Sequence, residues 1–124
     1  MTRFESMCAI RGDAGQTVRA IVDRLGDKWT LLVVATLNDG RLRYTELKSR
    51  IPGVSQRMLS LTLRNLERDG LVSRTAYAEM PPRVEYALTD VGESLTGPAM
   101  ALANWAVEHN PSIESKRAEY DARG

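Results

Sequence analysis

The chain has 124 residues, 43% of them hydrophobic and 27% charged, the proportions of one globular domain with a single core. Its longest apolar run, Leu31 to Ala35, falls far short of the ~20 residues a membrane span needs, and Met1 to Ile10 lacks the apolar stretch of a signal peptide, so a cytoplasmic protein with no membrane partner is expected. The net charge is only +1, but Arg41 to Arg83 holds nine basic and four acidic residues while the rest of the chain is net negative, a distribution able to steer a polyanion to one face.

Residues 1–16 show no sustained period and contain Gly12 and Gly15, as expected of an irregular N-terminal arm. Thr17 is the expected N-cap of a first helix, in which Val18, Ile21, Val22 and Leu25 fall on one stripe. Gly26 should close it in the left-handed conformation. Asp27 is placed to cap a second helix over Lys28 to Leu37, stopping near Asp39-Gly40. That segment is apolar nearly all round, the pattern of a central buried helix. Its β-branched residues also permit a strand, but its length favours helix. Arg41 to Arg43 reads as a short extended link. A small helix follows with Tyr44, Leu47 and Ile51 facing the core, and Pro52-Gly53 breaks it. Ser55 then caps a longer helix from Gln56 to about Asp69, with Leu59, Leu63 and Leu66 as its inner stripe and Gly70 as its stop.

The period changes next. Leu71 to Tyr77 is rich in β-branched and aromatic residues, and Val84, Tyr86 and Leu88 alternate with Glu85 and Ala87, which predicts a two-stranded hairpin. Pro81 and Pro82 cannot donate to a ladder, so Ala78 to Arg83 is assigned to a projecting loop. Thr89 caps a last helix supported by Val91, Leu95, Ala99, Leu102, Ala103 and Ala106. Gly97-Pro98 should kink or split it, and Pro111 should end it. The expected organisation is an arm over 1–16, a folded domain over 17–110, and a tail over 111–124 with a short polar helix through Ile113, Arg117 and Tyr120.

A short helix, a tight turn and a second helix form a helix-turn-helix. With the hairpin as a wing, the expected fold class is mainly α with a small β-hairpin, a winged helix-turn-helix. If Leu59, Leu63 and Leu66 point inward, then Arg57, Ser60, Leu61, Arg64 and Arg68 point outward. Ser55, Gln56 and Arg57 stand at the end that enters a major groove first. Arg bonds guanine O6 and N7 bidentately, and Gln does the same with adenine N6 and N7. Leu61 is unusual on a solvated face; contact with a thymine methyl and packing under a neighbouring loop are both open. Arg83, after two prolines at the hairpin tip, suits a narrow minor groove. Arg41, Arg43, Tyr44 and Thr45 could hold phosphates without reading sequence. The plain alternative is that these arginines are solvated helix residues, two of them near Glu67 or Asp69. A second class of reading, a winged-helix protein-interaction module without specific DNA binding, would show an acidic or apolar recognition face, and the arginines argue against it.

Several collinear segments carry a resemblance. Leu25-Gly26-Asp27-Lys28-Trp29-Thr30, Arg43-Tyr44-Thr45-Glu46-Leu47, Ser55-Gln56-Arg57-Met58-Leu59, the run from Leu63 to Val72, and the run from Pro81 to Thr89 resemble the HxlR-type family of winged-helix regulators, as does Trp105 in the closing helix. The resemblance spans roughly residues 18 to 107. It implies a MarR-like transcriptional regulator that dimerises and binds double-stranded operator DNA, with repression the simplest mode for a domain lacking an activation module. It also implies that the first and last helices pair across a two-fold axis through Val18, Ile21, Val22, Leu95, Leu102 and Trp105. Leu95, Met100, Leu102 and Trp105 do supply more apolar surface than one small core needs. A homodimer would set two recognition helices about 34 Å apart and predict a near-palindromic operator.

Some members of that family sense oxidants through a cysteine just before the first helix. Cys8 is the candidate redox sensor, although it lies nine residues before Thr17, farther upstream than the usual position, and an inert arm cysteine is the other reading. A small-molecule effector near Trp105 is compatible with either. With one cysteine and one histidine, His109, there is no disulfide framework and no multi-cysteine metal site. Without a Gly-rich phosphate loop, a nucleophile elbow or a paired carboxylate set, neither an enzyme nor a cofactor is expected.

Overall fold

A computed structural model describes residues 15–124; Cys8 and the rest of the expected arm before Gly15 lie outside the described residues. The elements in chain order are α1 (Gln16–Leu25), α2 (Lys28–Leu37), β1 (Leu42–Arg43), α3 (Tyr44–Arg50), α4 (Gln56–Arg68), β2 (Val72–Tyr77), β3 (Arg83–Leu88) and α5 (Asp90–Ala122).

The first break in the chain is made by Asp27. α1 starts two residues earlier than its sequence suggests, after Gly15, with no side-chain cap, so Thr17 lies inside the first turn. Gly26 stays right-handed (φ −78°, ψ −10°), contrary to the expected left-handed stop. Its N–H still reaches the carbonyls of Val22 and Asp23, at 3.1 and 3.2 Å, so the coil runs on to Asp27. Asp27 is extended (φ −82°, ψ 123°), and its carboxylate accepts from the Trp29 N–H and the Thr30 hydroxyl. The aspartate thus turns the chain and satisfies a free N–H at the start of α2. The same contact satisfies the hydroxyl of Thr30, which is buried.

α2 is the centre of the core, as its composition predicts. Val33, Val34 and Leu37 pack with Leu47 of α3, with Ile51 and Val54 of the turn after it, and with Leu59, Leu63 and Leu66 of α4. Leu47, Leu59, Leu63 and Leu66 are fully buried. Each contributes roughly 1.5–3 kcal/mol by leaving water, enough to fix how α3 and α4 sit on α2.

The wing is a three-stranded antiparallel sheet in the order β1-β3-β2. The segment Arg41 to Arg43 is therefore more than a link: Leu42 pairs with Tyr86 and Arg43 with Glu85. A two-residue strand is too short to show a period, and its partner lies over forty residues downstream. β2 and β3 are in register from Val72↔Leu88 to Tyr77↔Arg83. The connecting loop is consequently Ala78 to Pro82, and Arg83 is the first residue of a strand.

α5 joins the wing through a close approach. The Thr89 N–H donates to the Leu71 carbonyl (3.0 Å), its hydroxyl donates to the Gly70 carbonyl (2.6 Å), and that hydroxyl accepts from the Gly92 N–H (3.1 Å). Gly92 is pressed so near the Leu71 carbonyl that an added Cβ would overlap it.

α5 then runs unbroken for 33 residues through Pro98 and Pro111. The expected stop at Pro111, and the separate tail helix after it, are corrected accordingly. Each proline removes one N–H and so frees one carbonyl four residues back. These belong to Ser94 and Val107, both on exposed turns where water can replace the lost donor. α1 has no buried residue, and Ile21, Val22, Met100, Leu102, Trp105 and Val107 all leave large apolar surfaces uncovered in the single chain.

Candidate nucleic-acid interface

The turn between α3 and α4 depends on Gly53, whose φ of +82° lies in the left-handed region that a side chain disfavours. Val54 is buried behind it, and Ser55 caps α4 by accepting from the Met58 N–H at 3.0 Å. The Tyr44 hydroxyl, from the first turn of α3, donates to the Gln56 carbonyl at 3.1 Å and lies 3.3 Å from the Ser60 hydroxyl. Tyr44 and Ser60, expected as DNA contacts, thus brace α3 against the start of α4.

With Leu59, Thr62, Leu63 and Leu66 buried, the opposite face of α4 presents Gln56, Arg57, Leu61, Arg64 and Arg68 to solvent. Leu61 is 42% exposed. Together with Arg57, Ser60 and Arg64 it lines a shallow depression on the outer face of the helix.

Two of the nearby carboxylates are engaged elsewhere, while the exposed Glu67 flanks the row beside Arg64 and Arg74. Asp69 pairs with Arg24 of α1, and Glu46 accepts from the backbone N–H of Arg43 at 3.0 Å. Among the described residues, Arg43, Arg57, Arg64, Arg68 and Arg74 form no ion pair. An uncompensated guanidinium row on one exposed face produces a local positive potential despite a net charge of only +1 for the chain.

Arg74 was not singled out from sequence. It sits on β2 opposite Tyr86 and shares a recess of about 230 Å³ with Tyr44, Ser60, Arg64 and the carboxylate-bearing Glu67, linking the wing to α4. Its signal was available in the two-residue period, which puts Arg74 on the same face as Val72, the face turned toward the helices.

Arg83 is placed differently from the expected free hairpin tip. It stands at the base of the loop, with its guanidinium over the Tyr77 ring (4.1 Å), its Nη2 3.0 Å from Glu79 and its Nε 3.7 Å from Glu85. The tip itself carries Met80, 95% exposed. The cross-strand pair Tyr77↔Arg83 explains the difference, because it draws Arg83 into the strand. On its open side Arg83 lines a recess of about 310 Å³ with Arg43, Tyr44 and Thr45. Arg41 lies on the other side of Glu85, 3.9 Å from it, and donates to the Thr75 hydroxyl.

The residues expected at a dimer seam fall into two groups. Leu95 packs against the core of its own chain, and Val18 is partly covered. Ile21, Val22, Leu102 and Trp105 are each about half exposed. The Trp105 ring stacks on His109, with centroids 4.6 Å apart, and His109 Nδ1 is 2.9 Å from the Trp105 carbonyl. No helix among the described residues is long and apolar enough to cross a membrane.

The model of the HxlR-like helix-turn-helix family matches residues 24–114. An HTH-type transcriptional regulator of Methanothermobacter thermautotrophicus is 49% identical over 89 residues, which cover 72% of this chain and 68% of that protein. Among solved structures, the transcriptional regulator ytfH from Salmonella typhimurium is similar with a TM-score of 0.75 and 35% identity, over 82% of this chain and 90% of that one. The redox regulator HypR in its oxidized form is similar with a TM-score of 0.68 and 37% identity, over 74% of this chain and 95% of that one.

Proposed function

The chain belongs to the HxlR-like helix-turn-helix family, DNA-binding regulators of transcription and not enzymes, and from that premise we propose that it reads one near-palindromic duplex as a homodimer and represses by occupying it. The observation that carries this reading is the row of uncompensated guanidinium groups on the outer face of α4. Gln56, Arg57 and Arg64 are assigned to base edges in the major groove. Arg43, Thr45, the Ser55 hydroxyl and Arg83 are assigned to phosphates, and Arg74 joins them from the wing. Tyr44 and Ser60 set the angle at which α4 is offered.

The homodimer is assigned to α1 and α5. Uncovered Ile21, Val22, Leu102 and Trp105 suit an interface core, where aromatic and aliphatic anchors dominate. Similarity to the redox regulator HypR supports a thiol-responsive form of the same activity, with Cys8 as its one thiol. Equal loss of DNA affinity on mild oxidation in wild type and Cys8→Ser would dismiss that addition.

The test is selection of bound duplexes from a random pool, followed by affinity measurements at two salt concentrations. Enrichment of a two-fold-symmetric site, with affinity falling steeply as salt rises, is the expected outcome. If no duplex is enriched, the reading fails in favour of a winged-helix module that binds protein.

A further inference from the structure

We propose that Glu79 is an internal competitor for phosphate: it holds the wing guanidinium of Arg83 until a DNA phosphodiester, seated between the wing and α3, displaces it. This deepens the reading above and rests on it. Glu79 is placed for the role by the loop. Its N–H donates to the Tyr77 carbonyl at 2.9 Å, which folds the chain back so that its carboxylate lies 3.0 Å from Arg83 Nη2, four residues on.

Arg83 is bounded on three sides, and the three partners are not equivalent. Tyr77 lies under the guanidinium plane and is fixed opposite it by the sheet register. The Glu85 side chain is only 18% exposed and is shared with Arg41 across the strand, so it is a permanent part of the frame. The Glu79 side chain is 48% exposed and belongs to the loop, which makes it the replaceable partner.

Charge counting points the same way. Arg41, Arg83, Glu79 and Glu85 balance; without Glu79 the group carries one net positive charge, which a single phosphodiester would fill. The carboxylate cage also satisfies Arg83 incompletely. Its Nε is buried and finds no acceptor within hydrogen-bond distance, Glu85 being too far at 3.7 Å.

The incoming group has a place to sit. The recess beside Arg83 is lined by Arg43, which has no ion pair among the described residues, and by Thr45, a hydroxyl donor. Phosphate and carboxylate present similar paired oxygens to a guanidinium, so Arg83 can exchange one for the other. While Glu79 remains in place, it both occupies Arg83 and repels the phosphate. Its effect should therefore fall on binding to every duplex.

A double-mutant cycle in the full chain tests this. Affinities of wild type, Glu79→Gln, Arg83→Met and the double variant are measured on the selected duplex and on a random one at fixed salt, with circular dichroism to confirm folding. Glu79→Gln is expected to tighten binding to both duplexes by about two- to five-fold, the effect of releasing one exposed ion pair. In the Arg83→Met background the same change should have no effect. Equal tightening in both backgrounds, or none in wild type, would overturn the proposal and leave the DNA-binding reading standing. Failure of all four proteins to bind any duplex would overturn both.

Discussion

The Asp69 carboxylate accepts from Arg24 Nε at 2.9 Å, tying the end of α4 to α1 across 45 positions of sequence. Arg68, its immediate neighbour, forms no ion pair among the described residues. One ion pair therefore both anchors α1, which buries no residue of its own, and keeps the carboxylate away from the arginine face. Both side chains are less than a third exposed, so the pair should couple by about 0.5–1 kcal/mol in a double-mutant cycle of Arg24→Met and Asp69→Asn read by urea unfolding. Strict additivity would mean that the contact does not hold α1.

Gly92 is predicted to be intolerant of even a methyl group. An added Cβ would overlap the Leu71 carbonyl, a backbone atom already engaged by the Thr89 N–H. Gly92→Ala should cost about 2–3 kcal/mol in equilibrium unfolding, as overpacking against a rigid neighbour does. Gly97→Ala in the same helix is the control, since its Cβ would meet nothing within 4 Å, and it should change stability by less than about 1 kcal/mol. Similar effects at both positions would contradict the close approach between wing and α5.

The proposed dimer makes a prediction about Trp105. Its side chain is half exposed and, among the described residues, stacks on His109 of its own helix and is not part of the buried core. Trp105→Glu should shift sedimentation from dimer to monomer while the helical circular dichroism signal is retained. A variant that remains dimeric would move the interface elsewhere, and one that unfolds would place Trp105 in the core.

Much of this was legible in the residues because it is local. The stripe Leu59, Leu63, Leu66 defined the buried face of α4 and hence the outward arginines, and Asp27 and Ser55 announced the two caps. What was not legible depends on pairing between distant segments. β1 exists only because β3 offers it an edge, and the cage around Arg83 requires the register that sets Tyr77 opposite it. The partner of Asp69 was equally hidden, since adjacency in sequence favours Arg68. Pro111 misled for a different reason: on an exposed helix, water can satisfy the carbonyl that a proline frees, so the residue does not have to end the helix.

The division between reading and positioning is tested most directly by two variants on two duplexes, the selected site and a random one, each titrated at two salt concentrations. Arg64→Ala should lose about 1–3 kcal/mol on the selected site alone, relaxing its preference, as removal of a base contact does. Arg43→Ala should weaken both duplexes alike and lower the salt slope by about one, as removal of a phosphate contact does. If instead both variants lower affinity for the two duplexes equally, the outward guanidiniums of α4 do not read sequence.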